Sequence, residues 1–379
     1  MNEVIKIFTG PHEIIEGRNI YLHSLSRIFD INAIETVVVV TDKYLTAKFE
    51  SELAQIKSVA PDEKLEFFFI ENDITAEIIE KFHKALNGFK GKKIAVIGFG
   101  GGKVMDLSKS VYYDFLNMAG VTLITFPTSP STCAAYSSHI VIYNQDGQFQ
   151  KTLAPAGTAD YLILDYSILE NIPPRLLASG IADSIAKYIE CRAHFEADDD
   201  ILLEVDAGAE IAFLAAKTIF NRLLNIAPQA LESLLNRQSS AALESVIKLC
   251  VIETGIVGAY GGYKCRAALG HAIGDYMTHL TPRGGEFDMH GLRVAYGLLV
   301  QMLCEKRSDN EMIELIEFYI KLGLPLTLSD FTLKHDLLST IESLILKIYS
   351  GESSIRNMKH VPEQETVKNA LIHTASKNF

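Results

Sequence analysis

The sequence lacks a long apolar run, paired cysteines and an excess of positive charge, and each absence disfavours a class of protein. The cysteines are odd in number and form no C-x-x-C pair, which disfavours a disulfide framework and an all-cysteine zinc site. They are Cys133, Cys191, Cys250, Cys265 and Cys304. No stretch approaches the roughly eighteen apolar residues of a membrane span. The formal net charge of -12 disfavours nucleic acid and anionic membranes as partners. We therefore expect reduced thiols in a cytoplasm, with no nucleic-acid or membrane partner.

The length of 379 residues favours two domains over a single hydrophobic core. In the first part, strand patterns alternate with helical spacing such as that of 75–86, which predicts a mostly parallel sheet with crossover helices. The strand candidates are 37–41, 65–70, 94–97 and 122–126. Beyond about residue 165 the helical patterns dominate. We predict an α/β domain over 1–165 and an all-α domain over 166–379, with a ligand cleft between them.

Three local patterns add detail to this organisation. Asn144-Gln145-Asp146-Gly147 is a favourable hairpin turn between two short strand candidates. Pro173-Pro174 predicts a helix start, because proline suits the first turn. The three aspartates at 198–200 precede a long apolar-rich helix that we expect to run through Leu223.

The stretch 92–109 combines a short apolar strand, four glycines within five positions (98, 100, 101 and 102) and a helix. Glycine allows close approach of a ligand, and the N–H groups of a helix start bind anions. The spacing fits neither a Gly-x-Gly-x-x-Gly motif, since Lys103 stands at the last glycine position, nor a Walker A loop. A cation at a helix start opposes the dipole, so Lys103 suggests an anionic ligand. The stretch predicts a phosphate site of a nucleotide; the alternative is a structural strand–helix turn.

Four sequence blocks follow one another along the chain. They are 100–103 with Asp106, 127–132, 180–183, and His271 followed by His290-Gly291. In this order they resemble the iron-containing alcohol dehydrogenase and glycerol dehydrogenase superfamily, which has a dehydroquinate synthase-like fold. The likeness covers nearly the whole chain and is greatest to glycerol dehydrogenases. It implies a metal-dependent, NAD(P)-linked dehydrogenase that oxidises a small alcohol or polyol by hydride transfer, usually as a homo-oligomer.

The resemblance implies that Asp183, His271 and His290 are the metal ligands. Two histidines and a carboxylate with open coordination positions suit a catalytic divalent metal such as Zn²⁺ or Fe²⁺. Taken singly, each has a plainer interpretation: a helix-start carboxylate, a core histidine and a surface histidine at a helix end. His279, eight positions after His271, is a candidate for the same helix face.

The resemblance also implies a set of cofactor contacts. They are Asp42, Gly102, Lys103, Thr128, Ser131, Ser137, His139 and Tyr143. Gly102 and Lys103 would meet the pyrophosphate, and Thr128 and Ser131 the nicotinamide half. Asp42 falls where the family places a carboxylate on the adenosine ribose. Because a carboxylate repels a 2′-phosphate, Asp42 favours NAD, with NADP as the alternative. Asp42 also suits a helix N-cap.

Cys133 departs from the family pattern. Glycerol dehydrogenases usually carry aspartate at this position, in contact with the substrate. A thiol is a weak hydrogen-bond partner and largely neutral, so polyol recognition by that carboxylate is lost. Cys133 either packs as a small apolar residue, touches the substrate or, least favoured, adds a metal ligand.

Three other functions compete with this prediction. An sn-glycerol-1-phosphate dehydrogenase would need basic groups near the metal, for which Lys151, Arg266 and Arg283 are candidates. The segment 270–273 is also similar to dehydroquinate-synthase-like lyases, but their first metal ligand is typically glutamate, where this chain has Asp183. A non-enzymatic nucleotide-binding regulator is disfavoured because all three candidate ligands are present.

Overall fold

The chain folds as two units, which we call the N-terminal unit (Phe8–Ile172) and the C-terminal unit (Pro173–Phe379). The computed structural model describes residues 10–112, 120–153, 157–195 and 207–376. The predicted architecture is confirmed, because a parallel sheet with helices forms the first unit and helices form the second.

The sheet of the N-terminal unit has the strand order β1-β8-β5-β4-β2-β3, and every neighbouring pair is parallel. Its strands are β1 (Glu13–Gly17), β2 (Thr36–Asp42), β3 (Leu65–Ile70), β4 (Ile94–Gly100), β5 (Val121–Pro127) and β8 (Tyr161–Asp165). The four predicted strands are β2 to β5. The sequence patterns did not indicate β1 and β8, which have five residues each.

Burial on both faces explains the apolar sequences of the central strands. The odd-numbered residues 37, 39, 95 and 97 join a core with apolar residues of α1 and α3, and the intervening residues 38, 40 and 96 are buried as well. Parallel strands covered on both faces are expected to be continuously apolar. The helices of this unit are α1 (Tyr21–Ile31), α2 (Lys43–Lys48), α3 (Glu50–Val59), α4 (Ala76–Leu86), α5 (Gly102–Lys109) and α6 (Tyr166–Leu169). The predicted helix over 75–86 is α4.

The predicted hairpin is confirmed as β6 (Ile140–Tyr143) and β7 (Phe149–Leu153), which pair antiparallel. The Asn144 side-chain oxygen accepts hydrogen bonds from Asp146 N at 3.0 Å and Gln148 N at 2.9 Å. Gly147 has φ +73°, a left-handed value that favours glycine. The turn is thus built by side-chain chemistry that the sequence displays.

Two of the four clustered glycines are required for helix packing. A Cβ at Gly98 would lie 2.6 Å from Ser108 Oγ, and one at Gly100 would lie 2.5 Å from Val104 Cγ2. Helix α5 therefore packs against β4 more closely than side chains would allow. Gly101 is the N-cap of α5, and a Cβ there would meet nothing within 4 Å.

The C-terminal unit contains helices α7 (Pro174–Phe195), α8 (Ala207–Leu235), α9 (Ala241–Lys248), α10 (Thr254–Gly261), α11 (Leu269–Met277), α12 (His290–Cys304), α13 (Asp309–Leu322), α14 (Leu337–Tyr349) and α15 (Gln364–His373). The helix start predicted at Pro173-Pro174 is confirmed by α7. The aspartates at 198–200 lie outside the described residues. Helix α8 runs past the predicted end at Leu223 and contains Pro228.

Helix α12 contacts both α7 and α11 at glycines. A Cβ at Gly291 would lie 1.9 Å from the Ser179 carbonyl oxygen, and one at Gly297 would lie 2.3 Å from the Gly270 carbonyl oxygen. At these two positions the backbone of α12 therefore packs directly against the backbone of its neighbour, which only glycine permits.

None of the described helices combines the length and apolarity needed to cross a membrane. All five cysteines are free thiols.

Candidate metal centre and cofactor site

Asp183, His271 and His290 come together although they lie on three different helices, α7, α11 and α12. One ligand atom from each lies within 4.8 Å of the others. Asp183 Oδ1 is 3.3 Å from His271 Nε2 and 3.9 Å from His290 Nε2. Asp183 lies within the 22-residue helix α7, away from its start. The interpretation of Asp183 as a helix-start carboxylate is therefore wrong.

The close helix contacts of α12 position these three side chains. Gly291 follows His290 directly, and it is the glycine that touches the backbone of α7 at Ser179, one turn before Asp183. Gly270 precedes His271 and touches Gly297 of α12. The helix crossings that need glycine are thus adjacent to the two histidines. This arrangement holds the three side chains at coordinating distances.

Glu190 orients His271. Its Oε1 accepts hydrogen bonds from the backbone N–H groups of Ala268 and His271, both at 2.8 Å, and its Oε2 contacts His271 Nδ1. The Glu190 side chain is fully buried. Since a carboxylate only accepts hydrogen bonds, the Nδ1 atom carries a proton and Nε2 is left to face Asp183.

His290 has a carboxylate near its outer nitrogen as well. Asp275 Oδ1 lies 3.7 Å from His290 Nδ1, and burial raises the pKa of the Asp275 carboxyl to about 6. Burial lowers the pKa of the His290 imidazole to about 3, against the opposing effect of Asp183. His290 is therefore neutral near pH 7, which is the form that binds metals.

Lys187 places an ammonium beside two of the three candidate ligands. Its Nζ lies 3.0 Å from Asp183 Oδ1 and 3.3 Å from His271 Nε2, and donates to the Arg266 carbonyl oxygen at 3.2 Å. Burial alone would raise the pKa of the Asp183 carboxyl, but Lys187 and the two histidines hold it well below its ordinary value.

The pKa of His271 shifts in the opposite direction from that of His290. Burial lowers it, and the Lys187 charge acts in the same sense. The Glu190 and Asp183 carboxylates outweigh both and raise the pKa of His271 to about 9. A metal that binds His271 near pH 7 must therefore displace one proton from it.

The chemistry of this donor set fits a divalent metal ion. Two imidazoles and one carboxylate leave coordination positions open, as in catalytic zinc and non-haem iron sites. The outer nitrogens of both histidines face carboxylates, which is how metal-binding histidines are usually supported.

The N-terminal unit gathers part of the predicted cofactor site at one edge of its sheet. Asp42 ends β2, Gly100 ends β4 and Thr128 follows β5, and these three strands are neighbours. The Thr128 N–H donates to the Gly100 carbonyl oxygen at 2.9 Å. A Cβ at Gly102 would lie 3.3 Å from Thr132 Oγ1, so the loop after β5 borders the start of α5. Ligands of open α/β sheets bind at this carboxyl edge.

Asp42 and Lys103 form an ion pair between their side chains. The Asp42 carboxylate also accepts from Tyr44 N at 2.8 Å and caps α2, as its alternative interpretation predicted. The charge of Lys103 at the start of α5 is therefore compensated within the protein. The position of Lys103 at the helix start is therefore not by itself an indication of an anionic ligand.

A buried ion pair connects α5 to the segment that contains Ser137, His139 and Tyr143. Lys109 Nζ lies 2.9 Å from Asp106 Oδ1, and it also donates to the His139 carbonyl oxygen. Asp106 Oδ2 accepts from Val141 N at 3.0 Å. Ser137 Oγ accepts from His139 N at 3.2 Å, and Tyr143 N donates to the Ile74 carbonyl oxygen at 2.8 Å. Backbone hydrogen bonds thus fix the course of this segment.

The remaining predicted residues lie in the loop after β5, beyond the end of α11 and in β7. Ser131 N donates to Ser129 Oγ at 3.2 Å, and the Cys133 carbonyl oxygen accepts from Ser137 N at 3.0 Å, so both belong to the loop after β5. Helix α11 ends at Met277, so its face does not extend to His279. Lys151 is exposed in β7, in the N-terminal unit.

Sequence reasoning missed Lys187, Glu190 and Asp275. Lys187 and Glu190 follow Asp183 by four and seven positions on one helix, and Asp275 follows His271 by four. Polar side chains at these spacings lie on the same helix face as the ligand. That spacing was the available signal.

Comparison with known proteins agrees with this architecture. Residues 11–166 match the family described as iron-containing alcohol dehydrogenase. The chain is 28% identical to a glycerol dehydrogenase from Pseudomonas putida over 278 residues, which cover 73% of each chain. The structure of a probable glycerol dehydrogenase from Sinorhizobium meliloti is similar with a TM-score of 0.82, 22% identity and 98% coverage of both chains.

A further structure shares the fold. It is a sulfoacetaldehyde reductase from Bifidobacterium kashiwanohense in complex with NAD⁺, with a TM-score of 0.73 and 15% identity, covering 99% of this chain and 100% of that one. With the sheet, the helical unit and the Asp183, His271 and His290 cluster, these matches show that the chain is similar to iron-containing alcohol dehydrogenases and glycerol dehydrogenases and shares their fold.

Proposed function

We propose that this enzyme transfers hydride between a small alcohol or polyol and NAD, with a divalent metal held by Asp183, His271 and His290. The observation that supports it most is the convergence of these three side chains from three helices within 4.8 Å. The carbinol carbon loses a hydride to the nicotinamide ring and the hydroxyl proton passes to solvent, which leaves a carbonyl compound and NADH. When bound, the metal would supply Lewis acidity toward the alcohol oxygen.

The protein's own residues prepare the metal centre. Glu190 keeps the His271 proton on Nδ1, so that Nε2 is the nitrogen available to the metal. Burial keeps His290 neutral. Asp183 contributes a carboxylate whose pKa Lys187 and the two histidines hold well below its ordinary value, so it is ionised near neutral pH. Zn²⁺ and Fe²⁺ both suit this donor set, and metal analysis of purified protein distinguishes them.

For the cofactor, we infer that the pyrophosphate binds at the start of α5, at Gly102 and Lys103, and that Asp42 contacts the adenosine ribose. Thr128 and Ser131 would lie toward the nicotinamide, with Ser137, His139 and Tyr143 as further contacts. The position of Asp42, Gly100 and Thr128 at the carboxyl edge of neighbouring strands supports this assignment. The Asp42 charge supports NAD rather than NADP.

The test is a turnover assay of metal-loaded protein with NAD or NADP. The substrates are a panel of alcohols, polyols and glycerol phosphates, and the absorbance of the reduced nicotinamide measures the rate. We expect NAD-linked oxidation of at least one alcohol or polyol, and loss of both bound metal and turnover in Asp183→Asn. Protein that binds no metal and oxidises none of these substrates would contradict the proposal. Activity confined to glycerol phosphates would favour the phosphorylated-substrate alternative.

We also infer a cytoplasmic homo-oligomer. The five free thiols support a reducing compartment. The resemblance of the sequence to a family of homo-oligomers supports assembly of several copies. Light scattering on the purified protein measures the assembly state directly, and a monomeric mass would contradict it.

A further inference from the structure

The start of α11 is capped by side chains from two other helices. Its own N-cap residue is Ala268, which has no polar side-chain atom and so cannot cap the helix. Glu190 Oε1 of α7 accepts hydrogen bonds from the N–H groups of Ala268 and His271, both at 2.8 Å. Gln301 Oε1 of α12 accepts from the N–H group of Gly270 at 2.9 Å. The N–H groups of a helix start need acceptors, and here distant parts of the chain provide them.

Gln301 lies where α12 touches the backbone of α11. Its side chain is fully buried. Gln301 follows Gly297 by one helical turn, and a Cβ at Gly297 would lie 2.3 Å from the Gly270 carbonyl oxygen. Helix α12 therefore contacts Gly270 twice, through the backbone at Gly297 and through the Gln301 side chain. His271 is the next residue of α11, and His290 begins α12.

Glu305 fixes the direction of the Gln301 amide. Gln301 Nε2 donates to Glu305 Oε1 at 2.8 Å and to the Ile189 carbonyl oxygen at 3.4 Å. A carboxylate only accepts hydrogen bonds, so the NH₂ group of Gln301 faces Glu305 and the amide oxygen faces the N–H group of Gly270. Glu305 Oε2 in turn accepts from Arg307 Nε at 2.7 Å. The cap on Gly270 is therefore part of a hydrogen-bond network that continues along α12.

We propose that Gln301 is a positioning residue for the metal ligand His271. His271 is the third residue of α11 and lies in the turn that the cap orders. By holding Gly270, Gln301 fixes where the His271 imidazole stands relative to Asp183 and His290. Glu190 supplies the other part of the cap, so loss of Gln301 should loosen this turn without unfolding it. The inference rests on the proposed function for the presence of a metal, whereas the cap itself can be measured in metal-free protein.

The experiment replaces Gln301 by methionine, an unbranched side chain of similar length that lacks the amide. Because Gly270 then loses its acceptor, we expect faster hydrogen exchange of the Gly270 and His271 amides in metal-free protein, followed by NMR. We expect the Zn²⁺ affinity, measured by chelator competition, to weaken by roughly tenfold, the lower end of the range for residues that support metal ligands.

Tyr319→Phe is the matched control. Tyr319 Oη donates to the Ala295 carbonyl oxygen at 2.9 Å, a buried hydrogen bond from α13 to α12 that does not involve α11. Its loss should leave both the Zn²⁺ affinity and the exchange rate of the Gly270 amide unchanged. Equal losses of Zn²⁺ affinity in Gln301→Met and Tyr319→Phe would indicate a general effect of stability and would overturn the proposal.

Glu305→Gln tests the same network if Gln301→Met does not fold. It keeps Gln301, but either orientation of the new amide places an NH₂ group against Gln301 Nε2 or Arg307 Nε. We expect changes in the same direction as in Gln301→Met but smaller, both in exchange of the Gly270 amide and in Zn²⁺ affinity. Wild-type values of both in Glu305→Gln would contradict the orienting role of Glu305.

Two further results would overturn the proposal: a Gln301→Met protein that binds Zn²⁺ as tightly as the wild type, or a Gly270 amide that exchanges at the wild-type rate in this variant. Failure of the proposed function is a different result. Protein whose Zn²⁺ affinity depends on Gln301 but which oxidises no alcohol with NAD would contradict the proposed function and leave this inference standing.

Discussion

The Glu190 carboxylate holds His271 at two places: it accepts from the backbone N–H at 2.8 Å and contacts the ring Nδ1. Glu190 also follows Asp183 on α7 by seven positions, or two helical turns. Helix α7 therefore supplies one candidate ligand, Asp183, and the group that supports a second candidate ligand, His271. This relationship makes the metal centre sensitive to a residue that would not contact the metal.

Replacing Glu190 by glutamine should weaken metal binding by roughly 10- to 100-fold. An amide has one oxygen and one NH₂ group. In either orientation its NH₂ group faces a donor, either the backbone N–H groups or the His271 Nδ1–H. If the NH₂ group faces the ring, Nδ1 must give up its proton to accept from it. The proton then lies on Nε2, where it blocks coordination of the metal. Chelator competition measures the affinity, and ¹⁵N NMR of His271 in metal-free protein reports the tautomer.

Glu311→Gln is the control for Glu190→Gln. It removes a carboxylate partner of Arg192 outside the metal centre, so its metal affinity should equal that of the wild type. Unchanged affinity and an unchanged His271 tautomer in Glu190→Gln would show that Glu190 does not orient the ligand.

Metal affinity should increase with pH and level off near pH 9. The pKa of His271 is raised to about 9, so below that value the metal displaces one proton, and the apparent affinity rises by about tenfold per pH unit. His290, with a pKa lowered to about 3, adds no dependence near neutral pH. Chelator competition at a series of pH values measures the slope. A flat profile between about pH 6.5 and 8.5 would be incompatible with this shift.

Asp42→Asn should shift cofactor preference toward NADP. Asparagine still caps α2, so the local fold is kept, while the charge that repels a 2′-phosphate disappears and Lys103 loses its ion-pair partner. We expect the ratio of kcat/KM for NADP over NAD to rise by at least about tenfold, or about 1.4 kcal/mol. Steady-state kinetics with both cofactors measure it, and an unchanged ratio would remove Asp42 from the ribose site.

Asp106→Asn should destabilise the N-terminal unit by about 3–5 kcal/mol, because it leaves the fully buried Lys109 ammonium without its carboxylate. The same change also weakens the hydrogen bond from Val141 N to the residue 106 side chain. Val141 lies between His139 and Tyr143, which we propose as cofactor contacts, so the KM for NAD should rise as well. Denaturant unfolding measures the stability. Glu71→Gln, at the exposed ion pair with Lys43, is the control and should leave stability nearly unchanged. Equal effects of the two substitutions would contradict the role given to burial.

Sequence patterns predicted the elements whose cause is local. Strands β2, β4 and β5 are apolar because both faces of a parallel sheet are covered, and the turn at Asn144 to Gly147 depends on its own side chains. The edge strand β3 was predicted from its apolar run, although much of it is exposed. The short strands β1 and β8 were not indicated by the sequence patterns, and their pairing joins residues about 150 positions apart. Helix α8 extends beyond the predicted end at Leu223 to Leu235, and it continues through Pro228.

The amino-acid sequence by itself determined strands β2 to β5, the β6–β7 hairpin and the helical character of the second unit. Through its resemblance to a family it also indicated the three candidate metal ligands. Only the tertiary structure decided which groups surround them. Glu190 meets His271 across 81 positions, and Lys187 lies between Asp183 and His271. Asp42 compensates Lys103, which local charge reasoning had assigned to a ligand. The physical reason is that charge pairing and helix crossings depend on distances in space, whereas periodicity and turn chemistry act between neighbours in the chain.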